Sequence, residues 1–309
     1  MPASNVNRAR TAAARACVCR YAQFDRRATA VRGARVERVA VAGETGAAVQ
    51  RRAGGAIGAG VEAVAGRGDH ASAAVAGACA TAVDSAPGAW HVAAMVHTIR
   101  RAAPRDLPFV AWVQQEAARS HLPFGFWDLA FPGPDTYRLR LMERIASLEP
   151  ASFTHWSRFL VAEVDGEPAA ALSAYDDAQA ASGESFFRAV VEAMTAEGWN
   201  AERLGAMQQR LAPFLACMAE QPDDTWIIEW VATRPSHRGR GLTRALLRAI
   251  LDAGRARGHT RFQVSVLIGN EPAQRAYEGA GFTVCGERRD PTFEATLGSP
   301  GMRWLRRGA

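Results

Sequence analysis

Thr225-Trp-Ile-Ile-Glu-Trp-Val-Ala-Thr-Arg-Pro-Ser-His-Arg-Gly-Arg-Gly-Leu-Thr-Arg-Ala-Leu-Leu-Arg-Ala-Ile-Leu251 reads as strand, glycine turn and helix. From Trp226 to Thr233 the residues are mostly apolar and rich in β-branched or aromatic types, the composition of a buried strand. Arg238-Gly239-Arg240-Gly241 makes the turn. Leu242, Ala245, Leu246, Ala249, Ile250 and Ala253 then recur at helical spacing, and Gly258 supplies a stop. A glycine turn that opens a helix presents unpaired backbone N–H groups and the positive end of the helix dipole, which together seat a phosphate. Arg238 and Arg240 add positive charge at the same place.

Three phosphate loops compete for this reading. A Walker A loop requires a lysine, and all 37 basic side chains of the chain are arginine. A dinucleotide fingerprint requires a third glycine three residues after the second, where Arg244 stands. The third is an acyl-CoA loop of the form Gln/Arg-x-x-Gly-x-Gly/Ala. Arg238-Gly239-Arg240-Gly241-Leu242-Thr243 resembles that loop in the GNAT superfamily of acyl-CoA-dependent N-acetyltransferases, with Thr243 in place of the usual small residue. The Thr243 side chain either crowds a diphosphate or hydrogen-bonds to it.

A second block carries the resemblance further. Asn270-Glu-Pro-Ala-Gln-Arg-Ala-Tyr277-Glu-Gly-Ala-Gly281-Phe282 is similar to the later motif of that superfamily, with Asn270, Ala273, Tyr277, Gly281 and Phe282 in register. The residues agree on their own terms. Asn270 is a good N-cap, Pro272 is tolerated in a first turn, and Gly281 suits the C-terminal side. Between the blocks, Arg261 to Leu267 alternates as a strand does. The specific resemblance covers about residues 225–285.

Function follows as what the resemblance implies. The chain is expected to move an acetyl group from acetyl-CoA, as co-substrate, to an amine by direct attack in a ternary complex, without a metal. The main chain of Val231, Ala232 and Thr233 would pair with the pantetheine arm like an added strand. Arg238, Gly239, Arg240, Gly241, Leu242 and Thr243 would hold the diphosphate, and Asn270 is a helix cap, a cofactor contact, or both. Tyr277 would donate a proton or a hydrogen bond to the leaving thiolate.

Glu229 is the candidate base, on chemistry rather than motif. An amine is mostly protonated near neutrality and must lose a proton before it attacks. Glu229 lies among Trp226, Ile227, Ile228 and Trp230, where desolvation raises a carboxyl pKa, and strand parity places it with Ile227, Val231 and Thr233. The alternative is a structural glutamate. For the whole protein the alternatives are a non-catalytic acyl-CoA-binding regulatory module and an RNA-associated protein acting through its N-terminus.

Composition bounds the rest. The hydrophobic share of 48% is ordinary for a globular protein. Residues 1–94 carry 12 arginines against six acidic side chains, whereas residues 95–309 carry 25 of each. The formal excess of +6 therefore lies in the first third, and the balanced body gives no reason to expect nucleic acid or a membrane. Residues 1–94 are rich in Ala, Arg and Gly and are expected to be a disordered extension. A basic tail, a segment without a role, and translation starting at Met95 are the three readings of it. The five scattered cysteines argue against a disulfide framework. The expected location is the cytoplasm, with a homodimer admitted.

The expected fold is α/β (α+β): a mixed, twisted central sheet flanked by helices, GNAT-like, over residues 95–309. Val96 to Arg100 reads as a strand, and Asp106 as the cap of a helix facing inward with Leu107, Val110, Val113 and Ala117. Residues 124–131 form an aromatic loop that lines an acceptor pocket or packs the core. A helix follows from Asp135 to about Ser147. Phe159 to Val164 and Glu167 to Tyr175 form a hairpin around Asp165-Gly166. Residues 178–222 form a helical insertion with an apolar stripe through Leu204, Met207, Leu211, Phe214, Leu215 and Met218. Phe282 to Arg289 and Gly301 to Leu305 close the sheet.

Overall fold

A computed structural model describes residues 97–176, 182–222 and 224–308, with backbone alone at 182–184. The expected extension at 1–94 lies outside the described residues. The strands are β1 (His97–Arg101), β2 (Phe159–Val164), β3 (Glu167–Tyr175), β4 (Thr225–Thr233), β5 (Arg261–Leu267), β6 (Thr283–Arg289) and β7 (Gly301–Gly308). The helices are α1 (Leu107–Arg119), α2 (Phe126–Ala130), α3 (Asp135–Ser147), α4 (Ser182–Ala196), α5 (Ala201–Cys217), α6 (Leu242–Arg255), α7 (Glu271–Gly279) and α8 (Pro291–Leu297).

One sheet holds the strands in the order β1-β2-β3-β4-β5-β7-β6. Each neighbouring pair is antiparallel except β4 with β5. The β2–β3 hairpin forms where Asp165-Gly166 predicts it, with φ of 53° and 81°. Positive φ at both central residues is what a tight hairpin turn requires.

Helices cover both faces. On one, α6 lays Leu242, Leu246, Leu247, Ile250 and Leu251 against Ala162, Leu172, Trp226, Ile228 and Phe262. Each of these leucines and the isoleucine contributes about 1.5–3 kcal/mol on burial. On the other face, Val110 and Val113 of α1 pack with Phe159 and Val161. Trp127, Leu141, Phe186, Met207 and Leu211 of α2 to α5 form a further core there. Met207 and Leu211 are buried, with Leu204, Phe214 and Leu215 packed against the same cluster, so the apolar stripe of the insertion is core.

Two local expectations are corrected. Asp106 stands at the N-cap position of α1 but gives the helix no cap bond. Its carboxylate accepts from the Ala103 N–H at 2.7 Å and pairs with Arg100 at 2.6 Å. A carboxylate with a guanidinium in reach takes that stronger charge-assisted bond. The segment 124–131 is not all loop. Phe126–Ala130 winds into α2, because Asp128 accepts from the Gly125 N–H at 2.9 Å and so closes the first turn. The helix α8 had no distinct periodic signal in its seven residues. Its marks are Asp290, which accepts from the Phe293 N–H, and Gly298 at φ 81°. Among the described residues, no helix is long and apolar enough to cross a membrane.

Candidate active site

β4 has different neighbours along its length. From Thr225 to Ile228 it pairs with β5, ending at Ile228 opposite Val264. From Glu229 to Thr233 it keeps β3 on one side and has no β5 partner on the other. The two parallel strands thus part at Ile228, leaving an open main-chain edge beside Glu229, Trp230, Val231, Ala232 and Thr233.

A bulge sits at the parting. Ser173 faces Glu229 and Ala171 faces Ala232, so β4 carries one residue more than β3 over this interval. Trp230 absorbs the extra residue at φ 53°, a region that bulky side chains rarely adopt. Parity reverses there, which corrects the expected grouping of Glu229 with Val231 and Thr233. Val231 joins the α6 side with Trp226 and Ile228. Trp230 and Ala232 pack on the α1 side instead.

Glu229 is half-buried. Its Oε1 accepts from the Tyr175 hydroxyl at 3.3 Å, and that hydroxyl accepts from Gln221 Nε2 at 2.8 Å. Loss of water around the carboxyl raises its pKa to about 7, and the Tyr175 bond opposes the rise. Aromatic rings crowd this side of the sheet. Trp230 stacks on Trp127 at 5.6 Å, and Phe153 lies between Tyr175 at 5.2 Å and Phe186 at 4.7 Å. Of the two jobs expected of residues 124–131, core packing is the one seen: Trp127 and Phe131 are buried, and Trp127 stacks on Trp230.

The loop after β4 follows its sequence closely. Gly239 and Gly241 have φ of 75° and 77°, and an added Cβ at either would meet only open space. Conformation, not crowding, calls for glycine there. Gly241 is the N-cap of α6 and offers no side chain, so the first N–H groups of α6 have no side-chain cap. Arg238, Gly239, Arg240 and Gly241 are exposed, whereas the Leu242 side chain is buried at 2% exposure and can offer only its backbone. Arg238 Nε leans on the Thr233 carbonyl at 3.4 Å. The Thr243 hydroxyl bonds the Thr233 hydroxyl at 3.0 Å. Thr243 thus ties the helix start to the strand end.

Tyr277 and Asn270 come from α7 and its cap. Tyr277 is 6% exposed and lies in the same cluster as Trp226, Ile228 and Phe282, against which Val231 packs. It therefore stands on the opposite face of β4 from the rings around Glu229. Burial raises its pKa, so it stays protonated. Asn270 caps α7 through Oδ1, which accepts from the Ala273 N–H at 3.2 Å, and its Nδ2 donates to Ser120 Oγ at 2.6 Å. The cap is formed, and the rest of the amide holds α7 to the end of α1. Among the described residues, no group of His, Cys, Asp and Glu is arranged to hold a metal ion.

Tyr175, Gln221 and the bulge at Trp230 escaped the sequence reading. Tyr175 ends a strand whose apolar run gives no sign of its hydroxyl's use. An αL tryptophan inside a strand has no sequence signal at all.

Comparison with known proteins bears on this geometry. The profile of the acetyltransferase (GNAT) family matches residues 126–282. A streptothricin acetyltransferase of Streptomyces lavendulae is 37% identical over 76 residues, which make up 25% of this chain and 40% of that protein. The chain thus spans less than half of that curated relative. A solved acetyltransferase has a TM-score of 0.50 at 18% identity, covering 68% of this chain and 98% of that one. An N-acetyltransferase from Staphylococcus aureus Mu50 has a TM-score of 0.47 at 22% identity, covering 68% of this chain and all of that one.

Proposed function

The chain belongs to the acetyltransferase (GNAT) family, and from that premise we propose that it transfers an acetyl group from acetyl-CoA to an amine held beside Glu229. One observation carries the reading: the open edge of β4 runs from Glu229 directly into an uncapped, glycine-opened helix start. That arrangement suits an extended arm ending in a diphosphate. Main-chain groups at Val231, Ala232 and Thr233 bind the arm by strand addition. The N–H groups at Gly239 to Thr243 and the guanidiniums of Arg238 and Arg240 take the diphosphate.

Acetyl-CoA supplies an activated acyl group as a thioester. The residues of the chain supply proton management and position. Glu229 removes a proton from the bound ammonium, the nitrogen lone pair forms the new C–N bond as the C–S bond breaks, and the acylated nitrogen loses its extra proton to solvent. The products are the acetylated amine and CoA. Tyr277 stands on the thiol side as a hydrogen-bond donor. A free thiol has a pKa of about 8.5, well below that of a buried phenol, so full proton transfer from Tyr277 is uphill. The proton reaches the sulfur in exchange with solvent instead. Among the described residues, neither cysteine favours an acyl-enzyme over direct attack: Cys217 is buried, with its thiol pushed up to about 11 by desolvation. Cys285 is exposed on β6, a strand at the far edge of the sheet.

Three measurements test the proposal. Calorimetry should detect acetyl-CoA binding, and thiol release should accelerate with members of an amine panel. Streptothricin belongs in that panel, given the partial likeness to an enzyme named for it. A folded protein that does not bind acetyl-CoA ends the reading. Tyr277→Phe should lower kcat by about 10- to 100-fold, the worth of one hydrogen bond to a developing charge. Its KM for acetyl-CoA should hardly move; an unchanged kcat would remove Tyr277 from the thiol. Gly241→Val should weaken acetyl-CoA binding by at least about tenfold and destabilise the fold by about 1–2 kcal/mol, since a β-branched residue is forced into αL. Normal affinity in that variant would place the diphosphate elsewhere.

A further inference from the structure

Glu229 ends a chain of side chains drawn from three segments. Tyr175 closes β3, and Gln221 lies in the stretch that leads from α5 back to β4. The Tyr175 hydroxyl donates to Glu229 Oε1 at 3.3 Å, and Gln221 Nε2 donates to the same hydroxyl at 2.8 Å. The donors fix the direction of the chain. An amide nitrogen can only donate, so the phenol oxygen accepts from Gln221 and the phenol proton points to the carboxylate.

Each member is held in place. The register of β3 on β4 sets Ser173 opposite Glu229, and residue 175, two places on, shares that face. Tyr175 is 3% exposed, and its ring lies on Phe153 at 5.2 Å. The main chain that carries Gln221 is tied to the sheet. Gln263, 1% exposed, donates to the Glu220 carbonyl at 3.0 Å, and Arg288 donates to the Met218 carbonyl at 2.9 Å. Arg306 in turn holds Gln263 Oε1 at 2.8 Å.

The charged neighbours are engaged elsewhere. Asp176, the residue after Tyr175, pairs with His259 at 3.0 Å, and His259 stacks on Trp226 of the opposite face. Glu220 approaches Arg288 at 3.7 Å. Among the described residues, Glu229 makes no ion pair. Loss of water and the Tyr175 bond act on its proton, with no contribution from Asp128 of α2 or from His155 and Arg158 of the turn before β2. The Tyr175 bond favours the ionised carboxylate, so without it Glu229 would hold its proton to higher pH.

We propose that Tyr175 and Gln221 are positioning residues for the base: Gln221 orients the phenol, and the phenol holds Oε1 of Glu229, which leaves Oε2 to take the proton of the amine. The proposal rests on the acetyl-transfer reading above and gives the stretch after α5 a part in the chemistry.

The test uses Tyr175→Phe, Gln221→Leu and the double variant, with one amine throughout so that its own ionisation is common to all. Tyr175→Phe should move the rising limb of the kcat/KM profile to higher pH by about half a pH unit or more. It should lower kcat/KM near neutrality about threefold or more, with acetyl-CoA affinity hardly changed. Gln221→Leu should act in the same direction, and should add nothing to the Tyr175→Phe protein because it acts through the phenol. The Glu229 carboxyl can also be titrated without turnover, as the infrared carboxylate band that Glu229→Gln removes. Its midpoint should rise in Tyr175→Phe. An unmoved limb or midpoint in that folded variant overturns the proposal, as do additive effects in the double variant. If the unaltered protein acetylates no amine, the transfer reading falls; a raised midpoint then still supports the hydrogen-bond chain, and an unmoved one still overturns it.

Discussion

Glu229→Gln is expected to lower kcat/KM for the amine by about 100- to 10,000-fold, the usual contribution of a positioned general base. Acetyl-CoA affinity should stay within about twofold, because a neutral amide of the same shape leaves the open edge of β4 and the glycine loop intact. The pH profile separates this from a steric effect. A carboxyl with a pKa of about 7 is mostly protonated in mild acid and becomes a base as pH rises through neutrality. The unaltered protein should therefore gain activity over that interval, and the variant should lack that limb. An ordinary carboxylate near 4.5 would be a much weaker base toward an ammonium, so the rise to about 7 narrows the proton-transfer gap.

The same shift has a consequence for stability. Below the unfolded value of 4.5, folded and unfolded chains both hold the proton. Between 4.5 and about 7 the folded state keeps a proton that the unfolded chain has released, so stability falls as pH rises. Above about 7 the loss is complete, on the order of 3 kcal/mol for a shift of this size. Glu229→Gln should abolish this component and melt higher, relative to the unaltered protein, in mild alkali than in mild acid. Parallel melting curves at both pH values would mean that the carboxyl is not desolvated, and the base assignment would fall with it.

Asp128→Ala is expected to be the most destabilising single change near the site, by about 3 kcal/mol or more, because it leaves two mostly buried guanidinium groups with only the half-exposed Asp135 in place of a buried partner. Asp128 is 6% exposed. It accepts from Arg119 at 2.8 and 3.0 Å, meets Arg138 at 3.0 Å and caps α2 through the Gly125 N–H. Removing it leaves both arginines to Asp135 and uncaps the first turn of the helix that presents Trp127. For a domain of this size the loss corresponds to a fall in Tm of about 6–12 °C or more. A fall of less than a few degrees would show that solvent reaches the network. Asp128→Asn keeps the cap geometry without the charge, and should fall between the two.

Much of this arrangement is legible from residues near one another in the chain. The glycines at 239 and 241 need positive φ whatever surrounds them, and both adopt it. Asn270 caps its own helix within three residues. The Asp165-Gly166 turn sets the register of the two strands it joins. Glu229 stood out because its neighbours along β4 are large and apolar, and the desolvation that they imply is present.

Other features depend on partners far apart in sequence. Tyr175 meets Glu229 from 54 positions away, and Asn270 meets Ser120 from 150. The place of β7 between β5 and β6 is a matter of pairing, on which strand periodicity is silent. The bulge at Trp230 arises because β4 must satisfy β3 along its whole length while leaving β5 halfway. It reverses the side on which each later residue points, so alternation misassigned Val231 and Thr233.

The chain by itself therefore determined the glycine loop, the two helix starts and the desolvated setting of Glu229, since each is governed by backbone conformation or solvation within a few residues. Only the tertiary structure decided which side of the sheet Glu229 faces, which rings and hydrogen-bond partners surround it, and where β4 and β5 separate. Those follow from hydrogen-bond pairing and packing between distant segments, and no local pattern of residue types encodes them.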